Sequence, residues 1–171
     1  MILTFSSTSS TELVTLTEAK AHLAISGTAQ DTMLAAMISG ARQKVETVTG
    51  FPLVARTATI KDSEYTGEYI DLPYGVGVSS ITSVKTVSEG TESTVAATDY
   101  YLTDGKLYYS FAGTDYIVQY AVAAMNATDY PLLKQLILKQ LAFDYRNRGD
   151  EGGLDPDVRK MAESITLNHG F

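Results

Sequence analysis

The chain has 171 residues, with 20 acidic side chains against 13 basic ones for a formal charge of −7, and it contains no cysteine. Such a length holds one domain, or one domain with a small insertion, and enough chain to bury a core. The missing thiols exclude disulfides, thiolate zinc sites and cysteine nucleophiles, and the acidity disfavours direct binding to a phosphate backbone. Residues 51–127 alone carry 9 acidic and 4 basic groups and hold 9 of the 11 tyrosines. The first residues show no basic region followed by a long apolar run, and no stretch approaches the roughly 20 apolar residues of a membrane span. The sequence therefore reads as soluble and unexported.

Residues 1–12 are rich in serine and threonine and are expected to form a flexible arm. Thr15 with Glu18 three residues on is a capping-box signal, and Leu16, Ala19 and Leu23 give a short apolar face, so a helix is predicted through about Ile25, ended by Gly27. A second helix is predicted with Thr28 as N-cap and Asp31 near the positive end of its dipole. Its residues Met33, Leu34, Met37, Ile38, Ala41, Val45 and Val48 keep helical spacing, Gly50 and Pro52 close it, and Arg42, Lys44 and Glu46 are expected on a solvated face.

From Leu53 the period changes. Val54–Lys61, Tyr69–Leu72, Ser79–Val87 and Asp115–Val122 read as strands, Glu89 and Gly90 as a turn. YYLT, Asp104, Gly105 and KLYY over 100–109 read as a two-residue hairpin whose turn accepts positive φ. Five or six short strands are expected in this block.

The period returns to helical at Thr128. Over 128–148 the apolar residues Leu132, Leu133, Leu136, Ile137, Leu138, Leu141, Ala142, Phe143 and Tyr145 cover more than the single stripe a surface helix needs. Thr128 is the expected N-cap, Pro131 falls in the first turn and Gly149 is the stop. A helix of that length, about 30 Å, is either the central rod of a bundle or partly covered by another subunit. After a loop at 150–153, Asp155 is an N-cap signal with Pro156 at the first helical position, and Val158, Met161, Ala162 and Ile165 line a last helix.

Chemistry is sparse. The two histidines, His22 and His169, are far apart in sequence and give neither a metal set nor a catalytic triad. Asp155 and Asp157 read as capping residues, and YGVGV at 74–78 lacks the Lys-Ser/Thr and the helix of a phosphate loop. The tyrosine pairs read either as half-buried sheet surface or as a stacking platform for a sugar or a base. No catalytic group, metal site or cofactor site is predicted.

Three stretches resemble the head–tail connector (adaptor) proteins of long-tailed bacteriophages and prophages: LVTLTEAKAHLAI at 13–25, DTMLAAMISGARQKVETVTGFPL at 31–53 and YPLLKQLILKQLAFDYRNRG at 130–149. Leu16–Lys20, Thr49–Pro52 and Tyr145–Arg148 occupy the family's Leu-Thr-x-x-Glu-Ala-Lys, Thr-Gly-x-Pro and aromatic-Asn-Arg places. The resemblance implies a virion structural protein and not an enzyme: a homo-oligomeric ring, usually dodecameric, docked under the portal protein, meeting a stopper or tail-terminator protein, with DNA passing through without sequence-specific binding. It places the chain in the virion, after assembly in the host cytoplasm.

The expected fold is α+β, a bundle of about four helices over 13–53 and 125–171 with a small antiparallel β part at 54–124 inserted between helices two and three. Leu138, Ala142, Tyr145 and Arg146 are the predicted subunit interface, because they lie off the Leu136 side and join apolar area to a fork-shaped cation. Leu154, Val158, Met161, Ile165 and Phe171 are the predicted portal-docking residues. The competing reading is a carbohydrate- or ligand-binding module that uses the tyrosine-rich strands.

Overall fold

The box predicted at the start of the first helix forms as a reciprocal pair. The Thr15 N–H donates to the Glu18 carboxylate at 2.9 Å and Thr15 Oγ1 accepts from the Glu18 N–H at 3.3 Å, which satisfies two donors that a helix start otherwise leaves open. A computed structural model describes residues 1–8, 11–63, 67–110, 115–125, 131–148 and 153–167. Helix α1 (Leu16–Leu23) ends two residues earlier than predicted, at Ala24 in the left-handed region, φ 54°. Helix α2 (Asp31–Thr49) is capped at Gln30 rather than at Thr28, and stops at Gly50 with φ 71°. Asp31 is occupied by Lys20 of α1 at 2.6 Å, so its charge serves both the dipole and the α1–α2 turn. Helices α3 (Pro131–Arg146) and α4 (Pro156–Leu167) follow; the expected cap Thr128 and stop Gly149 lie outside the described residues.

The chain divides into two units, Thr11–Leu53 with Met125–Phe171, and Met1–Ser10 with Val54–Ala124. In the first, Ile38, Ala41 and Val45 of α2 meet Leu133, Leu136, Ile137 and Leu141 of α3, joined by Ala19 of α1, Phe51, Leu53, and Val158, Ala162 and Ile165 of α4. The α2 and α3 stripes read from the sequence thus pack against each other, with Met37 at the rim.

One prediction for α2 fails. Arg42 and Glu46 are not solvated but 5% and 2% exposed. Arg42 Nη1 donates to Glu46 at 2.6 Å and Arg42 Nε to Glu12 at 2.9 Å, while the other Glu46 oxygen accepts the Leu53 N–H at 2.7 Å. The residues at 42 and 46 border the 38–41–45 stripe, and paired ions with further hydrogen bonds tolerate burial that a lone ion does not. Lys44 reaches Asp144 of α3 at 2.7 Å.

In the second unit, strands β1 (Ile2–Thr8), β2 (Arg56–Asp62), β8 (Asp115–Val122), β4 (Val78–Ser88) and β5 (Thr91–Thr94) form one antiparallel sheet in that spatial order, and β3 (Tyr69–Asp71), β7 (Lys106–Tyr109) and β6 (Tyr100–Thr103) form another. Ala58, Ile60, Val84, Tyr116, Val118, Tyr120, Ile70 and Leu107 build their common core. The fold is therefore α+β, with four helices among the described residues and antiparallel strands between α2 and α3. Among the described residues that block holds seven strands, β2–β8, where five or six were expected, and β1 lies outside it.

Residues 2–8, expected as a flexible arm, are strand β1, paired with β2 from Ile2↔Lys61 to Thr8↔Arg56. Threonine and isoleucine favour a pleated half-buried surface as much as serine favours a loop, and Leu3 packs toward the sheet's core. The Asp104–Gly105 hairpin forms as read, with φ of 50° and 72°. Gly75, in the short helical turn Gly75–Gly77, lies against Gly105.

Candidate functional site

The four residues predicted for a subunit contact form one strip on α3. Leu133, Leu136, Ile137, Gln140 and Leu141 turn into the helical core, and Leu138, Ala142 and Tyr145 follow beside them, each half-buried, with Arg146 exposed. Leu138 packs against the unit's own core. The Tyr145 hydroxyl donates to Gln30 Oε1 at 2.9 Å, and the Arg148 guanidinium sits 4.0 Å over the Tyr145 ring. The strip leaves open apolar area next to two arginines, with Leu132 at the start of α3 also exposed.

The predicted docking residues separate. Val158 is 0% and Ile165 7% exposed, both in the helical core with Ala162, while Leu154 and Met161 lie at its rim. As free anchors for a partner Val158 and Ile165 are corrected: an apolar stripe on a 12-residue helix is marginal alone and folds against the nearest apolar surface, here α2 and α3. Phe171 lies outside the described residues.

The turn between α3 and α4 is fixed by a residue the sequence did not single out. Gln140 is fully buried in α3; its amide donates to Asp144 at 2.8 Å and to the Gly153 carbonyl at 3.1 Å, and its Oε1 accepts the Asp155 N–H at 2.9 Å. Asp155 in turn accepts the Asp157 N–H at 2.8 Å, the capping role read from sequence. Lys139 reaches Asp157 at 2.7 Å and holds that carboxyl below its usual range. At the other end of α3, Lys134 donates to Glu18; together with the Thr15 donors it draws the Glu18 pKa from 4.5 down to about 2.

The tyrosines are arranged across the three-stranded sheet. Tyr69, Tyr108 and Tyr101 are register partners. The Tyr101 and Tyr108 rings stack at 5.0 Å with an interplanar angle of 4°, Tyr69 tilts against Tyr108 at 5.4 Å, and the Lys106 ammonium lies 4.2 Å over Tyr69. Stacking turns one face of each ring toward the other, the geometry of cross-strand pairs, and Tyr101 stays 61% exposed. Tyr120 is buried, its hydroxyl donating to the Pro73 carbonyl at 3.1 Å, and burial pushes its pKa up. Among the described residues no group of three His, Cys, Asp or Glu side chains could hold a metal ion, and no helix is long and apolar enough to cross a membrane. The candidate site is thus a set of surfaces.

No curated protein sequence matches the chain. Its fold is similar to that of a chain in the neck of an empty gene transfer agent (GTA) particle computed with C6 symmetry, with a TM-score of 0.70 and 17% identity over 96% of this chain and 94% of that one. A chain in the virion of a native GTA particle and one in the neck of a native GTA particle computed with C12 symmetry match over the same shares, at TM-scores of 0.68 and 0.66 and identities of 18% and 20%. The family model described as head completion protein matches residues 12–137. Because that match covers most of the chain, from Glu12 in the Arg42 ion cluster to Ile137 in the helical core, the chain belongs to the head completion protein family.

Proposed function

We propose that the chain is a structural subunit of the virion neck, a head–tail connector that forms a ring under the portal protein, extends the DNA channel and joins the capsid vertex to the stopper or tail. The observation that carries this reading is the head completion family match over residues 12–137, and the fold shared with neck chains of GTA particles supports it. The charge of −7 suits a channel wall that lets DNA pass without gripping its phosphates. The α3 strip of Leu138, Ala142, Tyr145 and Arg146 is the proposed helical contact between neighbours, mixing apolar area with an arginine as interface patches do. The C-terminal segment is the proposed portal contact, through the rim residues Leu154 and Met161 and through Phe171, with Val158 and Ile165 holding α4 to its own unit.

The test is electron microscopy and native mass spectrometry of the full chain, alone and mixed with the portal. Closed rings, or a stable portal complex, support the proposal; a chain that stays monomeric and ignores the portal overturns it. Arg146→Glu should weaken assembly while leaving the melting temperature within about 2 °C, since an exposed substitution changes stability by less than about 0.5 kcal/mol.

A further inference from the structure

We infer that neighbouring subunits join their five-stranded sheets edge to edge, β1 of one copy pairing with β5 of the next; this rests on the ring reading above. Three observations carry it. The sheet runs β1-β2-β8-β4-β5, so among the described residues β1 and β5 each have one outer edge with no strand beside it. Natural sheets usually guard such edges with lysine, proline or a covering element, yet β1, ILTFSST, has seven residues with no charged side chain and no proline, and leaves Ile2 and Phe5 exposed at 64% and 42%. Finally, a closed ring with cyclic symmetry needs two different complementary patches on each subunit, and one sheet with two unlike open edges supplies both.

The direction of pairing follows from the topology. Every neighbouring pair in the sheet is antiparallel, so β1 and β5, four steps apart, point the same way. Rotation about a ring axis keeps the sense of a strand along that axis, and β1 therefore meets the next copy's β5 in parallel. Each added edge satisfies backbone groups that otherwise face water.

A chain without cysteine is a clean background for the test. Thr4 and Thr94 are exposed and lie on the same face of the sheet, as the registers through Thr59, Gln119 and Lys85 show. Within one subunit they are four strand spacings apart, roughly 19 Å, far beyond the roughly 6 Å between Cα atoms that a disulfide spans. Rings of the double variant Thr4→Cys with Thr94→Cys, and of Ile2→Cys with Thr94→Cys for a register shifted by two, are oxidised or treated with a bismaleimide shorter than that separation, then run under denaturing, non-reducing conditions. A ladder of covalent multimers, absent from each single variant, is the expected result. Rings that form but give no ladder with either pair, or covalent dimers from Thr4→Cys alone, overturn the edge pairing and leave the ring standing. A failure of the unmodified chain to form rings, alone or on the portal, removes the ring reading and this inference with it.

Discussion

At the scale of single residues, the buried charges decide most. Arg42 is held by both Glu12 and Glu46, so removing Glu46 leaves a buried guanidinium short of a partner and the Leu53 N–H without its acceptor. Glu46→Ala should lower the unfolding free energy by about 3 to 5 kcal/mol in urea titration, against under about 0.5 kcal/mol for Gln135→Ala on the exposed side of α3. Sequence spacing set these two residues at the border of the α2 stripe, and an i,i+4 Arg–Glu pair on a border can turn either way; only the position of Glu12 and of the 50–53 turn settles it. Gln140 is a similar case, since its partners lie 13 and 15 residues on, across the α3–α4 turn. Glu18 gives a pH dependence of known sign. Its pKa is 4.5 unfolded and about 2 folded, so its contribution is complete above about 4.5 and is lost as pH falls toward 2. Its exposure makes that contribution small. Thermal melts should show wild type falling faster than Glu18→Gln between those two pH values, with the two curves parallel near neutrality.

At the scale of elements, periodicity served where one face is buried. The stripes of α2, α3 and α4 were legible because each is repeated over two or more turns, and the hairpin because Asp104–Gly105 suits a turn with positive φ at both places. Strand β1 was hidden by composition, since its serines and threonines fit a loop or an edge strand equally, and β5, TEST, is exposed along its whole length. Neither carries an alternating pattern, because an edge strand buries little. What the Gly75–Gly77 turn does was also illegible: a Cβ on Gly105 would lie 2.4 Å from Gly75 Cα, on a backbone with φ +72°. Gly105→Ala should therefore destabilise by at least about 1 to 3 kcal/mol, the range for a strained left-handed residue, and the loss should exceed that of Gly90→Ala, which has a similar φ of +78° but open space around its Cβ. Chemical denaturation of the two variants checks this.

At the scale of the whole molecule, the switch of period at Leu53 and its return near 128 marked out the β insertion, while the addition of residues 1–10 to that unit rests on a pairing between strands some fifty positions apart that no local pattern announces. The surfaces proposed for assembly were less legible than the fold. A stripe on a helix reads the same whether it meets its own chain or another, which is why α4 resolves as a core element only once Val158 and Ile165 are placed. Deleting residues 154–171 should accordingly lower stability by at least about 3 kcal/mol, since it removes more than one fully buried aliphatic side chain. Deleting 168–171 alone, with portal binding as the readout, tests the last residues separately: loss of binding would assign that contact to them, and full binding would remove Phe171 from it.

The insertion leaves and rejoins the helical unit at neighbouring points. The Met125 N–H donates to the Pro52 carbonyl at 2.7 Å, and inside the β unit Arg56 pairs with Val122. A folded insertion thus behaves as a very short tether, whereas an unfolded one of the same length would be a floppy loop whose closure costs roughly 3 to 4 kcal/mol in chain entropy. That difference links the two units thermodynamically. A core lesion such as Val118→Ala, buried in the β sheet, should loosen hydrogen-exchange protection in α2 and α3, and replacing 54–124 with a short glycine linker should restore it.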